Sequence, residues 1–360
     1  MSQKFAQDIG ESLPEDRRTG TGLGGGVFSS RGNKEEVGIE TTLRPRRLEE
    51  FVGQQKVKEN LGVYIEAAKK RGEALDHILF SGPPGLGKTT LSYIIANELA
   101  VGLKCTSGTV LERPGDLAGI LTNLQPGEVL FIDEIHRLPS SVEEYLYSAM
   151  EQYCIDILID QGPKARSLKI KLPKFTLIGS TTREGLLTAP LRARFGVLER
   201  LEFYPWTELK QIVLNSARFL SIDIQEEASE LIAIRSRGTP RIANRFLRRV
   251  RDVAEVKGAS TITVEIARQG LEMLGVDENG LCQMDRRILG IILQCGGPVG
   301  LKTVSVSVGE DEETIEEVYE PYLIQRGLLE RTPRGRVATP QAHAQLGKTA
   351  RAQGSLFQGP

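Results

Sequence analysis

The sequence is short of the residues that metal and disulfide chemistry need. Only four cysteines (Cys105, Cys154, Cys282 and Cys295) and three histidines (His77, His136 and His343) occur in 360 residues. No two cysteines form a CxxC pair and the histidines do not cluster with them. The spacing therefore excludes the usual zinc patterns, and reduced, buried thiols in a reducing cytosol are expected. Long apolar runs are missing as well. None approaches the roughly 20 residues needed to cross a bilayer. The N-terminus, MSQKFAQDIG, lacks a hydrophobic signal core. A soluble, cytoplasmic protein with no membrane partner is expected. An excess of charge of either sign is also lacking: 46 Lys and Arg stand against 47 Asp and Glu, a formal net charge of −1. Total charge thus gives no argument for a nucleic-acid partner, which would have to use a local patch.

What is present is ordinary for a globular chain, with 40% hydrophobic and 26% charged residues. The length exceeds one core and implies about two or three domains. Residues 1–40 are rich in Gly, Ser and charge and predict a disordered arm. From Thr41 the pattern changes. Val57, Leu61, Tyr64 and Ile65 recur at helical spacing. HILFSG (77–82), VLFID (129–133) and FTLIGST (175–181) read as short buried strands alternating with helices, which predicts a parallel α/β sheet. After Tyr204 helical periodicity takes over, at 206–220, 226–236 and 240–257, predicting a small all-α lid domain over 205–276. A third segment, 277–346, shows helices at 285–294 and 312–324. LLERTPRGRVAT follows as two short strands about a Pro-Arg-Gly turn, the pattern of a winged helix. A polar, frayed tail is expected over 347–360.

GPPGLGKT (82–89) fits the P-loop pattern GxxxxGK[ST] between a strand and a helix. Its glycines, Gly85 and Gly87 among them, let backbone N–H groups wrap phosphates without Cβ clashes, and the helix N-terminus adds a favourable dipole. Lys88 supplies charge for the β- and γ-phosphates of ATP, and Thr89 offers its hydroxyl to Mg²⁺. Asp133 and Glu134 end a strand at its ligand-binding edge. Asp133 is expected to orient the Mg²⁺ shell and Glu134 to polarise the attacking water. A hydroxyl of Thr181 or Thr182, at the end of the third strand, can hold the lytic water or the γ-phosphate. Arg192 and Arg194, just past Pro190, are candidates for a guanidinium that acts on a neighbouring subunit's nucleotide. Arg241 follows Pro240 at a helix start, within reach of the nucleotide across a domain cleft.

From Arg326 to Pro360 six basic residues face one acid, Glu330. Arg331, Arg334 and Arg336 lie on or beside a tight turn, placed for phosphate contacts that read no sequence. The preceding helix carries Glu312, Glu313, Glu316, Glu317 and Glu320. It would be repelled from a groove, so the wing rather than a recognition helix is expected to meet DNA. Residues 154–160 and 168–172 predict a hairpin rich in isoleucine. Two readings stay open for it, an extension of the sheet packed on the core and a docking surface.

Taken in order, LRP (43–45) with EFVGQQ (50–55), GPPGLGKTTL (82–91), FIDEIHRL (131–138), TTR (181–183), APLRARFG (189–196), GTPRIANR (238–245) and RTPRGR (331–336) resemble the AAA+ superfamily, and within it the RuvB family of Holliday-junction branch-migration motors. The resemblance spans Thr41 to Leu346. It implies a large AAA+ ATPase domain over 41–204, a helical lid and a winged-helix head. It further implies that Leu43 and Arg44 flank the adenine, that Gly85, Gly87, Lys88, Thr89 and Thr90 hold phosphate, and that Thr182 is sensor 1. Arg194 would be the trans finger, Tyr204 and Arg241 would contact nucleotide, and Arg241 would be sensor 2. Glu151 and Tyr153 are implied as nucleotide contacts, although Gln152 between them departs from the Glu-Asp-Tyr of some members. Family members form homohexameric rings on duplex DNA and four-way junctions, loaded by a junction-binding partner, RuvA, and working with a resolvase, RuvC. The resemblance also implies that the hairpin region contacts that junction-binding partner. Two alternatives stand beside this reading. One is a clamp-loader-like or protein-remodelling AAA+ ATPase, which usually lacks a winged domain with RTPRGR. The other is a DNA-binding module with a dead P-loop, against which Lys88, Thr89, Asp133 and Glu134 argue.

Overall fold

A computed structural model describes residues 43–158 and 167–353. The expected N-terminal arm, the hairpin tip and the end of the tail lie outside the described residues. Five strands form one parallel sheet: β1 (Ile78–Ser81), β2 (Leu103–Ser107), β3 (Val129–Asp133), β6 (Thr176–Thr181) and β7 (Val197–Arg200). Their order is β2-β3-β6-β1-β7. Register is fixed by pairs such as Ile78 with Ile178 and with Val197, and Leu130 with Leu177. β1 and β6 are buried along their whole length, because helices cover both faces of a parallel sheet. Phe80, Ile78 and Ile178 are fully buried there, each worth about 1.5–3 kcal/mol of apolar transfer.

The sheet sets the site. β1 is followed by the P-loop, β3 ends at Asp133 and β6 ends at Thr181, so all three deliver residues to one carboxyl edge. β2 and β7 were not apparent from the sequence, and both sit at sheet edges.

The hairpin strands, β4 (Cys154–Leu158) and β5 (Ser167–Lys171), pair antiparallel as a two-stranded sheet of their own rather than extending the large sheet. Its base is core: Cys154 and Ile155 are buried, while Leu168 is half exposed.

Helices at Trp206–Phe219, Glu226–Arg235, Pro240–Val256 and Val264–Met273 make the lid. The third unit has helices at Gln283–Cys295 and Leu301–Val308. A continuous helical stretch follows from Glu312 to Gln325 with a π turn over Ile315–Tyr319, and then comes the ribbon β8 (Leu329–Thr332) and β9 (Gly335–Ala338). Arg331 faces Arg336 across this ribbon, and Val299 pairs with Arg336 as a third rung, as a winged helix requires. A last helix runs Pro340–Gln353, past the point where a frayed tail was expected. Its Ala- and Gln-rich sequence has high helix propensity.

Candidate active site

The P-loop follows β1 so closely that Gly82 has no room for a side chain. Its φ is 132°, and a Cβ there would lie 2.4 Å from the Leu201 carbonyl oxygen. Gly87, φ 107°, opens the helix Lys88–Leu99, and a Cβ would meet the Phe51 ring at 3.0 Å. Lys88 is buried, and its Nζ donates to the carbonyls of Gly82 (2.7 Å) and Pro83 (2.9 Å). Burial pulls its pKa down to about 8, against the opposing pull of Asp133 and Glu134. A polyphosphate beside it would restore the charge.

At the ends of β3 and β6 the carboxylates and hydroxyls sort themselves. Asp133 accepts from the hydroxyl of Ser180 and from the Glu134 N–H at 3.1 Å. Glu134 is left-handed at φ 50°, an uncommon conformation that recurs at active sites. Burial, and then the Asp133 and Glu317 carboxylates, push its pKa above the usual range, which suits a proton acceptor. Thr182 Oγ1 donates to Glu134 Oε2 at 3.4 Å, whereas Thr181 Oγ1 lies 2.9 Å from His136 Nδ1. The two threonines thus face different partners.

From the lid, Arg241 N donates to the Gly85 carbonyl at 3.3 Å. The buried Tyr204 hydroxyl donates to the Leu86 carbonyl at 3.2 Å. The result is a cavity of about 760 Å³ between the large domain and the lid. Its walls include Leu43, Arg44, Gly85, Gly87, Lys88, Thr89, Thr90, Asp133, Glu134, Thr182, Tyr204 and Arg241. The sequence did not point to Phe51 or to the lid residues Ile212, Asn215, Phe219 and Asn244, which also line it. Phe51 and Asn244 lie inside quoted motifs, whereas the others had only helical periodicity to mark them.

Three expected residues do not line this cavity. Arg194 pairs with Glu151 at 3.1 Å, donates to the Pro190 carbonyl at 2.7 Å and stacks on Tyr147 at 4.3 Å. Tyr153 packs edge-on against Phe175, 5.9 Å between centroids. Two of the three wing arginines are engaged within the chain. Arg331 reaches Glu320 (2.6 Å) and Glu316 (3.3 Å), and Arg336 reaches Glu320 (2.7 Å) and Glu316 (3.4 Å). Arg334 occupies the turn and is exposed. The same acidic helix meets the ATPase domain: Glu317 pairs with Arg183 at 2.7 Å, Glu316 with Arg183 at 3.4 Å, and Glu313 with Arg137.

A parallel sheet in this strand order, a P-loop after β1, paired acids at the end of β3 with β6 between the two strands, and an arginine-bearing lid define an AAA+ P-loop ATPase. Three family models match the chain in succession: the Holliday junction DNA helicase RuvB P-loop domain over 43–201, the RuvB AAA lid domain over 204–277 and the RuvB C-terminal winged helix domain over 278–347. The Holliday junction branch migration complex subunit RuvB of Prosthecochloris aestuarii is 58% identical over 326 residues, 90% of this chain and 95% of that protein. Its counterpart in Myxococcus xanthus is 59% identical over 327 residues, with the same shares. The solved structure of the Thermotoga maritima RuvB Holliday junction branch migration motor superposes with a TM-score of 0.78 at 50% identity, covering 85% of this chain and 98% of that one. The chain belongs to the RuvB family.

Proposed function

We propose that this chain is the ATP-driven motor of Holliday junction branch migration, acting in recombination and repair as a hexameric ring on duplex DNA. A junction-binding partner of the RuvA kind would load it and a resolvase of the RuvC kind would work beside it. The domain division would be 41–204, 205–276 and 277–346. The observation that carries the reading is the convergence of Lys88, Asp133, Glu134, Thr182 and Arg241 on one cavity while Arg194 stays outside it. A site that lacks its finger suits hydrolysis completed by a neighbouring copy.

The residues fit a magnesium-bound nucleotide. The glycine cradle and Lys88 suit phosphates, and the Thr89 hydroxyl and Asp133 carboxylate are hard oxygen donors. Mg²⁺ held there would supply positive charge against the phosphates. Glu134 then orients and deprotonates the attacking water, with Thr182 beside it. Arg241 registers the nucleotide from the lid, and Arg194 of an adjacent copy stabilises charge on the transferred group. Wing residues Arg331, Arg334 and Arg336 would hold phosphates without reading bases.

The test is strand exchange on a synthetic four-way junction with ATP and Mg²⁺, with and without the junction-binding partner. Wild type should dissociate the junction into duplexes by strand exchange, while Lys88→Ala should lose both ATP turnover and migration. Turnover that survives Lys88→Ala, or an active ATPase that leaves junctions untouched, sinks the reading.

A further inference from the structure

His136 lies two residues after the acid pair, on the 3-10 turn Ile135–Arg137. Its side chain is 3% exposed. The left-handed backbone of Glu134 turns the chain back so that the imidazole lies beside the carboxylate of the residue two before it. Nε2 stands 3.4 Å from Glu134 Oε2, and Nδ1 stands 2.9 Å from Thr181 Oγ1. Thr181 is fully buried. Its hydroxyl oxygen already accepts the Arg183 N–H at 3.0 Å, so its O–H is available to donate to Nδ1. A neutral ring that accepts at Nδ1 carries its proton on Nε2, directed at Glu134.

We infer that His136 is a positioning residue for hydrolysis: in its Nε2–H tautomer it holds the Glu134 carboxylate and ties it to Thr181 at the end of β6. This inference rests on the reading of Glu134 as the water-activating base. Oε2 is then gripped from two sides by adjacent residues of one strand end, directly by Thr182 and through the imidazole by Thr181. A strand end that shifts on meeting the γ-phosphate moves the base with it. Burial, and then the Arg137 and Arg183 cations, hold the imidazole below its ordinary pKa, which keeps it a neutral donor. The 3.4 Å separation suits a catalytic contact that shortens when substrate arrives.

Two substitutions separate positioning from packing. His136→Asn puts an amide where Nδ1 stands, keeping the Thr181 contact but falling short of Glu134. His136→Gln reaches further, so that its amide N–H can take the place of Nε2–H. In the full chain, with duplex DNA, His136→Asn should lower kcat for ATP by about tenfold with KM within about twofold, and His136→Gln should recover to within about threefold of wild type. Binding of a fluorescent ATP analogue should be unchanged in both. Equal rates for Asn and Gln, or a rise in KM at constant kcat, overturn the inference. Should neither variant fold, Thr181→Val serves instead, since it removes the hydroxyl that selects the tautomer. It should lower kcat without moving KM, and an unchanged kcat overturns the inference. Glu134→Gln runs in parallel. If it turns over ATP normally, the reading of Glu134 fails and takes this one with it. If it is dead while His136→Asn matches wild type, only the role of His136 fails.

Discussion

His77 stands at the head of β1, the strand that delivers the P-loop. Its Nδ1 accepts the Leu177 N–H at 2.9 Å and its Nε2 lies 3.2 Å from the Met150 carbonyl, so the folded ring is neutral with its proton on Nε2. Burial holds its pKa below the ordinary 6.5. The unfolded chain therefore takes up a proton first as pH falls. The stability His77 contributes is present above about pH 6.5 and is lost progressively below it. Chemical denaturation at pH 7 and pH 5 should show this loss. His77→Asn should flatten that part of the slope while costing about 1–3 kcal/mol at pH 7 through the orphaned Met150 carbonyl. An identical pH slope in the variant would refute the assignment. At this scale the sequence was most legible where chemistry fixes residue type. Gly85, Lys88, Thr89, Asp133 and Glu134 were named by pattern, and all line the cavity. Phe51 and His136 fall inside matched motifs and Ser180 inside a predicted strand, but the residue pattern assigned none of them a role. They matter only because β3 and β6 are neighbours and because Gly87 leaves space for a ring, which are facts of pairing and packing.

Between elements, the lid and the winged domain are joined by a buried ion pair. Arg237, at φ 56° just before the GTPR turn, is 2% exposed and reaches Asp285, which is fully buried. The guanidinium also stacks on Tyr322 at 4.6 Å. Asp285→Ala leaves a buried cation without its counter-charge and should cost about 3–5 kcal/mol, read as a lower denaturation midpoint. Joint replacement of Arg237→Met and Asp285→Leu should return most of it. A single substitution that costs nothing would show the pair to be incidental. Because Arg241 lies four residues from Arg237, this staple also ties the nucleotide-facing end of the lid to the third unit. Most elements were legible from periodicity, including the wing with its Pro-Arg-Gly turn. β2 and β7 were not. LKCTS is half exposed along its length, and VLER alternates buried and exposed. As edge strands they lack the continuous apolar run by which the central three were recognised.

Over the whole molecule, a net charge of −1 conceals strong segregation of charge. The helical stretch from Glu312 presents one set of carboxylates to Arg137 and Arg183 of the ATPase domain and another to Arg331 and Arg336 of the wing. Composition could not show this, since it depends on which faces meet. The Glu317 carboxylate bears on both Lys88 and Glu134, so it opposes the charge of an incoming triphosphate. Glu317→Gln should tighten nucleotide binding by about threefold at low salt, and less at high salt where the field is screened. Titration with a fluorescent nucleotide measures this, and an affinity that stays constant in low salt would count against it.

Glu316 is the shared member of these two sets. One of its oxygens faces Arg183, just past the end of β6, and the other faces Arg331 and Arg336. A duplex seated on the wing would draw those two arginines to its own phosphates and leave Glu316 with a single claimant, 3.4 Å away at the ATPase centre. If that change alters nucleotide affinity, thermodynamic reciprocity requires that nucleotide alter the grip on DNA by the same factor. If the wing holds duplex in this way, one glutamate would make occupancy of the track and occupancy of the engine mutually legible, and Glu316→Gln should shrink the change in nucleotide affinity that duplex produces, measured by titrating a fluorescent nucleotide with and without DNA.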